Sequence, residues 1–486
     1  MSRSLLPDPA LLAPLAQRLR SASAPALPAW PDGAPESRIL AEYLVGRAHG
    51  VLDVSGRRSG GADQDGAVQR DAEGFADLPL LVIDDDEAGA LWAVAAGVAV
   101  GSTSLAAEGL AVEGLAADIP GTHGCAADDR AGKGAVPAGG RVLAYNDRVS
   151  ADPAARAAGA ELVGALPADV VERAPLRCIV SAPKAVDALS ETLQALEGIA
   201  AEVIVVGRDK HLTPSVNAEL ARRFRRVDVS PGIAKSRLII GSEPFAPAGE
   251  PLSVEGEGAA EVAGAQAGAP GVAAGDSASR ETNDVLFPGW ASRASGIPGV
   301  PDLDVAAHGA CFGGSAVDPG SQLLVRALAQ RRAEVAPGAR TILDLGCGNG
   351  WLLAAAAALL RPAEAVGTDA SRAACASAAA TLRAARAAGA VDAPWRVVLA
   401  DAGEGLADGS FDLVLLNPPF HAGTVVTTED AHRMIDAAHR LLAPGGLLVC
   451  VYNSHLRYRS HLNAAFGGSE QWARNAKFTV VAARRG

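Results

Sequence analysis

The chain has 486 residues and a formal net charge of −12, and 49% of its residues are hydrophobic. A length of this order predicts about two to four domains, of which we expect two, and the apolar content is ample for buried cores. The acidic balance argues against a protein that coats nucleic acid by bulk charge, but the charge is unevenly distributed. Residues 201–240 carry eight basic and four acidic residues, and residues 451–486 carry six basic residues and one acidic residue, which allows local basic surfaces.

The six cysteines are isolated in the sequence. No pair has metal-ligand or redox spacing, which predicts reduced thiols and no metal site. The N-terminal segment carries proline and aspartate inside its apolar part, so it is a poor signal peptide. The uncharged segment 91–107 contains two glycines and three hydroxyl side chains, so it is short and weakly apolar for a membrane span. We therefore expect a monomeric cytoplasmic protein without a membrane segment.

One segment has the composition of a linker. Residues 246–285 are rich in Gly, Ala, Pro and Glu and carry few large apolar side chains. Such a segment cannot bury enough surface to offset the entropy of ordering its backbone. The sequence therefore predicts an N-terminal domain at 1–245, a flexible linker at 246–285 and a C-terminal domain at 286–486.

Strand-like and helix-like segments alternate after the linker. Strands are predicted at 340–345, 365–369, 396–401, 411–416, 447–453 and 478–484, and helices at 351–360, 371–389 and 428–446. This alternation predicts an α/β domain with a parallel, doubly wound sheet, in which ligands bind at the carboxyl ends of the strands.

The N-terminal region repeats this pattern. Residues 78–91 parallel the segment RTILDLGCGNGWL, residues 176–185 parallel DLVLLNPPFH, and residues 198–211 parallel APGGLLVCVYNSH. We interpret this as a duplicated domain whose first copy lacks the glycine loop and has Ser-Ala-Pro-Lys, starting at Ser181, in place of Asn-Pro-Pro-Phe. An unrelated α/β domain is the alternative interpretation.

The segment LDLGCGNG joins the first strand of the C-terminal region to a helix. Its spacing is an acid followed by three alternate glycines, unlike the G-x-G-x-x-G of a dinucleotide site. Glycines let the backbone turn tightly and approach a ligand, and the first amides of the next helix face the same place. The spacing resembles the S-adenosylmethionine-binding loop of class I methyltransferases, which implies cofactor-binding roles for Asp344, Gly346, Cys347, Gly348, Asn349 and Gly350.

Asp369 and Asp401 end the next two predicted strands. A carboxylate at Asp369 can accept both hydroxyl groups of a ribose, and capping of the following helix is its alternative role. In the methyltransferase pattern, Asp401 faces the adenine amino group and Asp344 meets the ammonium group of the cofactor. Phe312, further upstream, has either a cofactor-covering role or a core role.

The fourth strand ends in NPPF. Asn417 offers a side-chain carbonyl and Pro418 a main-chain carbonyl, so two acceptors can hold both hydrogens of an exocyclic amine. Pro418 and Pro419 fix the backbone, and Phe420 offers a flat face for stacking a base. A proline turn with a core phenylalanine is the alternative. At this position of the sheet we predict a catalytic motif, with Asn417 also next to the cofactor.

These motifs together resemble one family. NPPFHAG, which includes His421, is similar to the bacterial ribosomal RNA guanine-N2 methyltransferases, and residues 308–328 also match at Asp318, Gly320 and Gln322. The resemblance implies two tandem Rossmann-like class I methyltransferase domains with mostly parallel, doubly wound sheets, the N-terminal one degenerate.

The same resemblance implies methyl transfer from S-adenosylmethionine to the exocyclic N2 amine of a guanine, with ribosomal RNA or a ribosomal subunit as partner. Phe420 and His421 would contact the base, while Lys210, Lys235 and Arg237 of the first domain would hold the RNA. Three alternatives stay open: a protein-glutamine N5 methyltransferase, an adenine-N6 methyltransferase, and a non-catalytic RNA-binding assembly factor.

Overall fold

The computed structural model describes about half of the predicted N-terminal domain and most of the C-terminal domain, namely residues 35–48, 52, 54–55, 78–84, 142–157, 160–245, 289–419, 428–456 and 458–486. The predicted linker 246–285, the uncharged segment 91–107, Phe420 and His421 lie outside the described residues. None of the helices that the structure describes is long and apolar enough to cross a membrane.

The N-terminal region forms one seven-stranded sheet. Its strands are β1 (Leu80–Ile83), β2 (Val142–Tyr145), β3 (Glu161–Leu162), β4 (Leu176–Ser181), β5 (Ala200–Arg208), β6 (Phe224–Val229) and β7 (Ser236–Pro244). They lie in the order β3-β2-β1-β4-β5-β7-β6, with β7 antiparallel to both of its neighbours. The accompanying helices are α1 (Pro35–Ala48), α2 (Asp152–Ala157), α3 (Val186–Ala195) and α4 (Pro214–Ala221).

The C-terminal region forms a second seven-stranded sheet, preceded by the antiparallel hairpin of β8 (Gly289–Arg293) and β9 (Leu303–Ala307). The strands of this sheet are β10 (Thr341–Leu345), β11 (Glu364–Asp369), β12 (Trp395–Leu399), β13 (Phe411–Leu416), β14 (Leu442–Asn453), β15 (Glu470–Arg474) and β16 (Phe478–Arg484). The helices are α5 (Pro319–Gln330), α6 (Arg332–Val335), α7 (Trp351–Leu360), α8 (Arg372–Ala387), α9 (Thr428–Leu441) and α10 (Tyr458–Phe466).

The two sheets have the same topology, which confirms the predicted duplication. The second sheet has the order β12-β11-β10-β13-β14-β16-β15, so each of its strands has a counterpart in the first sheet. The register agrees as well, because Ile83 pairs with Val180 where Leu345 pairs with Leu416. Ser181 therefore occupies the position of Asn417, as the sequence comparison predicted. The fold is that of tandem class I methyltransferase domains.

The central strands are apolar on both faces because helices cover the sheet on both sides. Ile342, Leu343 and Leu345 of β10 are fully buried. The uninterrupted apolar run of α7 is likewise almost wholly buried. Sequence periodicity located most of the predicted elements within two residues, but α9 ends at Leu441 and β14 begins at Leu442, each about five residues earlier than predicted. It missed the exposed strands β8 and β15, the largely buried strand β9 and the helix α10.

The start of α8 tests the capping role considered for Asp369. Ser371, not Asp369, is the N-cap of α8, because the Ser371 side chain accepts a hydrogen bond from the amide of Ala374. Asp369 instead accepts a hydrogen bond from the amide of Ser371 at 3.0 Å and thereby holds the capping residue in place. The cap role considered for Asp369 was therefore wrong.

Candidate active site

The glycine loop follows β10 at the carboxyl edge of the second sheet. Gly346, Gly348 and Gly350 all have positive φ angles, of 85°, 52° and 77°. A Cβ atom on Gly350 would lie 2.7 Å from the Cα of Ala378, so a side chain here would push α7 away from α8. A Cβ atom on Gly348 would meet no atom within 4 Å. The loop therefore packs tightly at its end and leaves open space at its middle.

The other two loop residues serve the loop itself. The amide of Cys347 donates to the Thr368 carbonyl at 2.9 Å, its side chain is buried, and burial raises the pKa of its thiol well above the ordinary value. The side chain of Asn349 donates to the carbonyls of Gly314 and Ala316, both at 2.9 Å, and accepts from the amide of Trp351.

Within the described part of the chain, no cluster of three or more potential ligands is placed to hold a metal ion.

Asp344 is a buried acid without a polar partner. Its exposure is 0%, and neither carboxylate oxygen has a hydrogen-bond partner at normal geometry among the described residues. Burial raises the pKa of Asp344 well above its ordinary value, and the charge of Asp369 raises it further, while the backbone N–H of Leu353 opposes the rise. Buried carboxyl groups without a partner are rare in native proteins, so the position of Asp344 is not explained by packing alone.

Asp369 links the glycine loop to α8. Its Oδ2 accepts a hydrogen bond from the amide of Gly348 at 3.0 Å, and its Oδ1 accepts from the amide of Ser371. Burial raises the pKa of Asp369, and these backbone donors oppose the rise. Because a carboxylate has about four acceptor sites, both oxygens retain capacity for a further donor.

Asp401 lies after β12 and is paired with an arginine that the sequence reasoning did not identify. Arg433 of α9 donates to both carboxylate oxygens, at 2.7 and 3.0 Å. The two side chains are 23% and 50% exposed, so solvent screens the pair. No sequence signal links these residues, because they lie on separate elements 32 positions apart.

Asn417 follows β13 and is held by α5. Its Nδ2 donates to Oδ2 of Asp318 at 2.9 Å and to Oγ of Ser321 at 2.8 Å. Its Oδ1 is buried and has no hydrogen-bond partner among the described residues. Of the next two residues, Pro418 is buried and Pro419 is exposed.

Phe312 lies on the segment that Asn349 ties to the glycine loop. It is 71% exposed, which excludes the core role considered for it. The hydrogen bonds from Asn349 to Gly314 and Ala316 place this exposed ring on the loop that borders the carboxyl edge of the sheet.

The predicted basic residues of the first domain lie together at the carboxyl edge of its sheet. Lys210 follows β5 and Lys235 precedes β7, and the amide of Asp209 donates to the Lys235 carbonyl at 2.8 Å. Arg237 is close by but forms an ion pair with Asp209, which reduces its availability. Lys184 follows β4 at the same edge, and together with Lys210 it lowers the pKa of His211, for which burial is the main cause.

The carboxyl edges of the two sheets meet beside Asp369. The amide of Val149 donates to the carbonyl of Ala370 at 2.9 Å, and the amide of Arg372 donates to the carbonyl of Asp147 at 2.8 Å. The Arg372 guanidinium also donates to the carbonyl of Asn146 at 3.0 Å. The first domain therefore contacts the residues that directly follow Asp369.

Comparison with protein families and curated relatives agrees with this geometry. The family model for the methyltransferase small domain matches residues 302–482. The ribosomal RNA large subunit methyltransferase G of Pseudomonas fluorescens is 32% identical over 317 residues, which is 64% of this chain and 71% of that protein. The protein of the same name from Streptomyces coelicolor is 43% identical over 202 residues, 40% of this chain and 48% of the relative. The chain thus spans about half the length of several relatives that it matches.

A solved structure shows the same two-domain fold. It is the T. thermophilus 16S rRNA N2 G1207 methyltransferase (RsmC) in complex with AdoMet and guanosine. The TM-score is 0.56, the sequence identity is 20%, and the match covers 84% of this chain and 88% of that one. Because the match extends over both domains, it supports the duplicated architecture as well as the fold of each half.

Proposed function

The chain belongs to the family of ribosomal RNA large subunit methyltransferase G, and from this premise we propose that it methylates the exocyclic N2 amine of a guanine in ribosomal RNA. The methyl donor is S-adenosylmethionine. The site is the carboxyl edge of β10 to β13, where the glycine loop, three acids and the NPPF motif converge.

The residues at this edge fit the donor. The carboxyl group of Asp344, which has no partner among the described residues, is the candidate for the ammonium group of the donor's amino-acid part, whose charge would favour the ionised form of the acid. The space beside Gly348 admits the ligand close to the backbone. Asp369 has acceptor capacity left for the ribose hydroxyls, and Asp401 is the candidate for the adenine amine, with Arg433 fixing its orientation. Cys347 and Asn349 would contact the donor through their backbone groups, because the Cys347 side chain is buried and the Asn349 side chain is hydrogen-bonded within the protein.

The single observation that carries the proposal is the free oxygen of Asn417. Its amide nitrogen donates both hydrogens, to Asp318 and Ser321, and its Oδ1 at the end of β13 has no donor among the residues that the structure describes. An exocyclic amine supplies the donor that this buried oxygen lacks. The carbonyl of Pro418 provides a second acceptor with no N–H of its own nearby to compete.

The proposed reaction depends more on placing the amine nitrogen next to the methyl group than on acid–base catalysis. When bound, the donor would supply a methyl group on a positively charged sulfur: the lone pair of the amine nitrogen would form the new N–C bond, and the electron pair of the broken C–S bond would remain on the sulfur. Asn417 and Pro418 hold the two amine hydrogens so that the nitrogen lone pair points at the methyl carbon. The nitrogen then loses one proton. Holding two reactants in the reactive orientation can lower the activation free energy of their reaction by about 7–11 kcal/mol.

The aromatic residues complete the substrate side of the proposal. We assign stacking on the guanine to Phe420 and the lining of its pocket to His421, as expected from the sequence, and we assign covering of the donor to the exposed ring of Phe312. The target base is unpaired or flipped out, because an amine inside a helix cannot reach the methyl group.

The first domain binds RNA with the cationic edge formed by Lys184, Lys210, Lys235 and Arg237, and it supports the donor site through its contacts beside Ala370. This division of labour follows the predicted domains at 1–245 and 286–486, joined by the linker 246–285. We keep the expectation of a monomer in the cytoplasm, which chromatography and cell fractionation test.

Mass spectrometry of nucleosides tests the reaction. Purified protein is incubated with labelled S-adenosylmethionine and ribosomal RNA or subunits from a deletion strain. We expect labelled N2-methylguanosine and release of S-adenosylhomocysteine. Label on adenine N6 or on protein glutamine would replace the guanine assignment, and binding of RNA without any methyl transfer would indicate a non-catalytic assembly factor.

The Asn417→Ala variant connects that reaction to the site. It is expected to slow methyl transfer by about ten- to a thousandfold, as losing a placed polar group does, and to leave donor affinity unchanged. Asn463→Ala, which removes an exposed amide on α10, is the matched control and is expected to react at the wild-type rate. Near-normal turnover of Asn417→Ala would remove Asn417 from the mechanism.

A further inference from the structure

The amide of Asn417 can adopt two orientations that differ by a half turn, and only one of them serves the proposed reaction. With Nδ2 toward α5, Oδ1 faces the amine site as an acceptor. With the groups exchanged, an NH₂ group would face the substrate amine, and two donors would oppose each other. Because oxygen and nitrogen differ little in size, packing alone does not choose between the orientations; the hydrogen-bond network does.

Asp318 makes this choice. Its Oδ2 lies 2.9 Å from Nδ2 of Asn417, and an ionised carboxylate can only accept hydrogen bonds. A reversed amide would place Oδ1 of Asn417 against that oxygen, which is repulsive. Ser321 accepts the second hydrogen of the same nitrogen at 2.8 Å, so both donors of Nδ2 are satisfied.

Asp318 is itself fixed by the start of α5. It is the N-cap of this helix, and its Oδ2 accepts a hydrogen bond from the amide of Ser321 at 2.8 Å. A Cβ atom on Gly320 would lie 2.9 Å from the same oxygen, so the absence of a side chain at Gly320 leaves the carboxylate its place. One carboxylate oxygen therefore caps a helix and orients an amide 99 positions later in the chain.

We propose that Asp318, assisted by Ser321, is a positioning residue that locks the Asn417 amide with its oxygen toward the substrate amine. This inference rests on the proposed function, since it assigns the reason why α5 precedes the glycine loop in contact with the NPPF motif. Asp318 touches neither reactant, and its effect on the reaction passes through Asn417.

The first test compares two substitutions of Asp318. Asp318→Ala removes the acceptor and is expected to lower kcat about ten- to a hundredfold with unchanged donor affinity, because the amide is free to reverse. Asp318→Asn keeps a side-chain oxygen for both Ser321 and Asn417, and it is expected to react within about threefold of wild type. A kcat for Asp318→Ala within twofold of wild type would overturn the proposal, and so would equal losses in both variants.

Helix capping alone would also lower stability, so a control must lose similar hydrogen bonds elsewhere. Asp412 accepts from the amide and the hydroxyl of Thr341, both at 2.9 Å, at the opposite edge of the sheet. Asp412→Ala is expected to lower the melting temperature without lowering kcat. If Asp318→Ala does not fold, Ser321→Ala retains the backbone cap, removes one acceptor of Asn417 and is expected to lose about threefold or more in kcat.

A double-mutant cycle separates positioning from an independent role. In the Asn417→Ala background, Asp318→Ala is expected to cause no further loss of kcat, because there is no amide left to orient. The same fold-loss in both backgrounds would show that Asp318 acts by another route and would overturn the proposal.

Side-chain amide NMR keeps this proposal separate from the proposed reaction. The Nδ2 protons of Asn417, assigned by their absence in Asn417→Ala, are expected to exchange slowly with solvent in wild type and faster in Asp318→Ala. Unchanged exchange would overturn the positioning role. If the wild-type protein does not methylate guanine, the reaction assignment fails, and this exchange measurement still decides whether Asp318 holds the amide.

Discussion

At the scale of single residues, three side chains at the carboxyl edge of the second sheet have buried polar atoms without a hydrogen-bond partner among the described residues, namely Asp344, Asn417 and Asn453. Within the described part of the chain, Asp344 has a buried carboxyl group without a partner at normal geometry, and Asn417 has a buried oxygen without a donor. Each costs folding free energy in the ligand-free protein, because a buried polar group has lost its water. Asp344 and Asn417 lie where the two reactants are proposed to bind. We infer that hydrogen bonds from the donor and the amine satisfy these groups, and that removing the cost of the unpaired groups strengthens binding.

This interpretation makes a pH-dependent prediction for Asp344→Asn. The pKa of Asp344 is raised in the folded protein, so folding favours its protonated form and loses stability as pH rises above the ordinary carboxyl value of about 4. The amide variant carries no charge. It is therefore expected to unfold at a higher temperature than wild type near neutral pH, with a difference that shrinks toward about pH 4.

The same variant is expected to bind S-adenosylmethionine more weakly, since the anion for the ammonium group is gone. Melting curves across the pH range and calorimetry with the donor measure the two effects. Asp412→Asn, which changes an acid at the opposite edge, is the control for the loss of one charge. A variant that is less stable at every pH would contradict the burial argument.

At the scale of elements, the glycine loop was predictable from the sequence, whereas the hydrogen bonds by which the start of α5 holds the Asn417 side chain were not. The loop's spacing is local, and the positive φ angles of its three glycines follow from what a strand-to-helix turn requires. The contact between α5 and Asn417 joins residues 99 positions apart, and a sequence without an alignment carries no signal for such a pair. The ion pair between Asp401 and Arg433 was not predicted for the same reason.

The middle of the glycine loop gives a prediction at this scale. Gly348→Leu places a side chain in open space beside the proposed donor, so we expect a large loss of donor affinity together with a strain cost of about 1 kcal/mol for the positive φ angle. Gly389→Leu is the matched control, because Gly389 also has a positive φ angle and open space but ends α8 at the opposite edge.

Both variants are expected to lose similar stability, and only Gly348→Leu is expected to lose binding in a calorimetric titration with S-adenosylmethionine. Equal donor affinities in the two variants would show that the space beside Gly348 is not used by the donor.

At the scale of the whole molecule, the duplication was visible in the sequence because both copies keep the same strand patterns. The shared sheet order confirms it, and the register places Ser181 at the position of Asn417. The way in which the two copies meet was not predictable. It depends on backbone hydrogen bonds between residues 147–149 and 370–372 and on side-chain contacts such as that of Arg372 with the carbonyl of Asn146. These contacts join residues more than 200 positions apart, and a single sequence carries no signal for such pairs.

The cationic edge of the first domain gives the prediction at this scale. Replacing Lys184, Lys210 and Lys235 by alanine is expected to weaken RNA binding and to lower the slope of log K against log salt by about 2, since each phosphate contact on single-stranded nucleic acid contributes about 0.7. Filter binding at several salt concentrations measures this slope.

The control for net charge replaces Arg222, Arg225 and Arg226, three exposed cations around the end of α4 and the start of β6, at the opposite edge of the same sheet. Arg222 and Arg226 are paired with Glu219 and Asp228. The control variant is expected to keep the wild-type slope. A reduction of similar size in both variants would mean that RNA binding follows net charge and does not use the edge formed by the three lysines.

A crystal structure of the protein with S-adenosylhomocysteine and guanosine tests the central claim most directly. We predict the cofactor product against Asp344, Gly348 and Asp369, and the guanine N2 atom about 3 Å from Oδ1 of Asn417, with Nδ2 of Asn417 still bound to Asp318. An edge that stays empty at saturating ligand, or a guanine bound with its N2 amine pointing away from Asn417, would contradict the account.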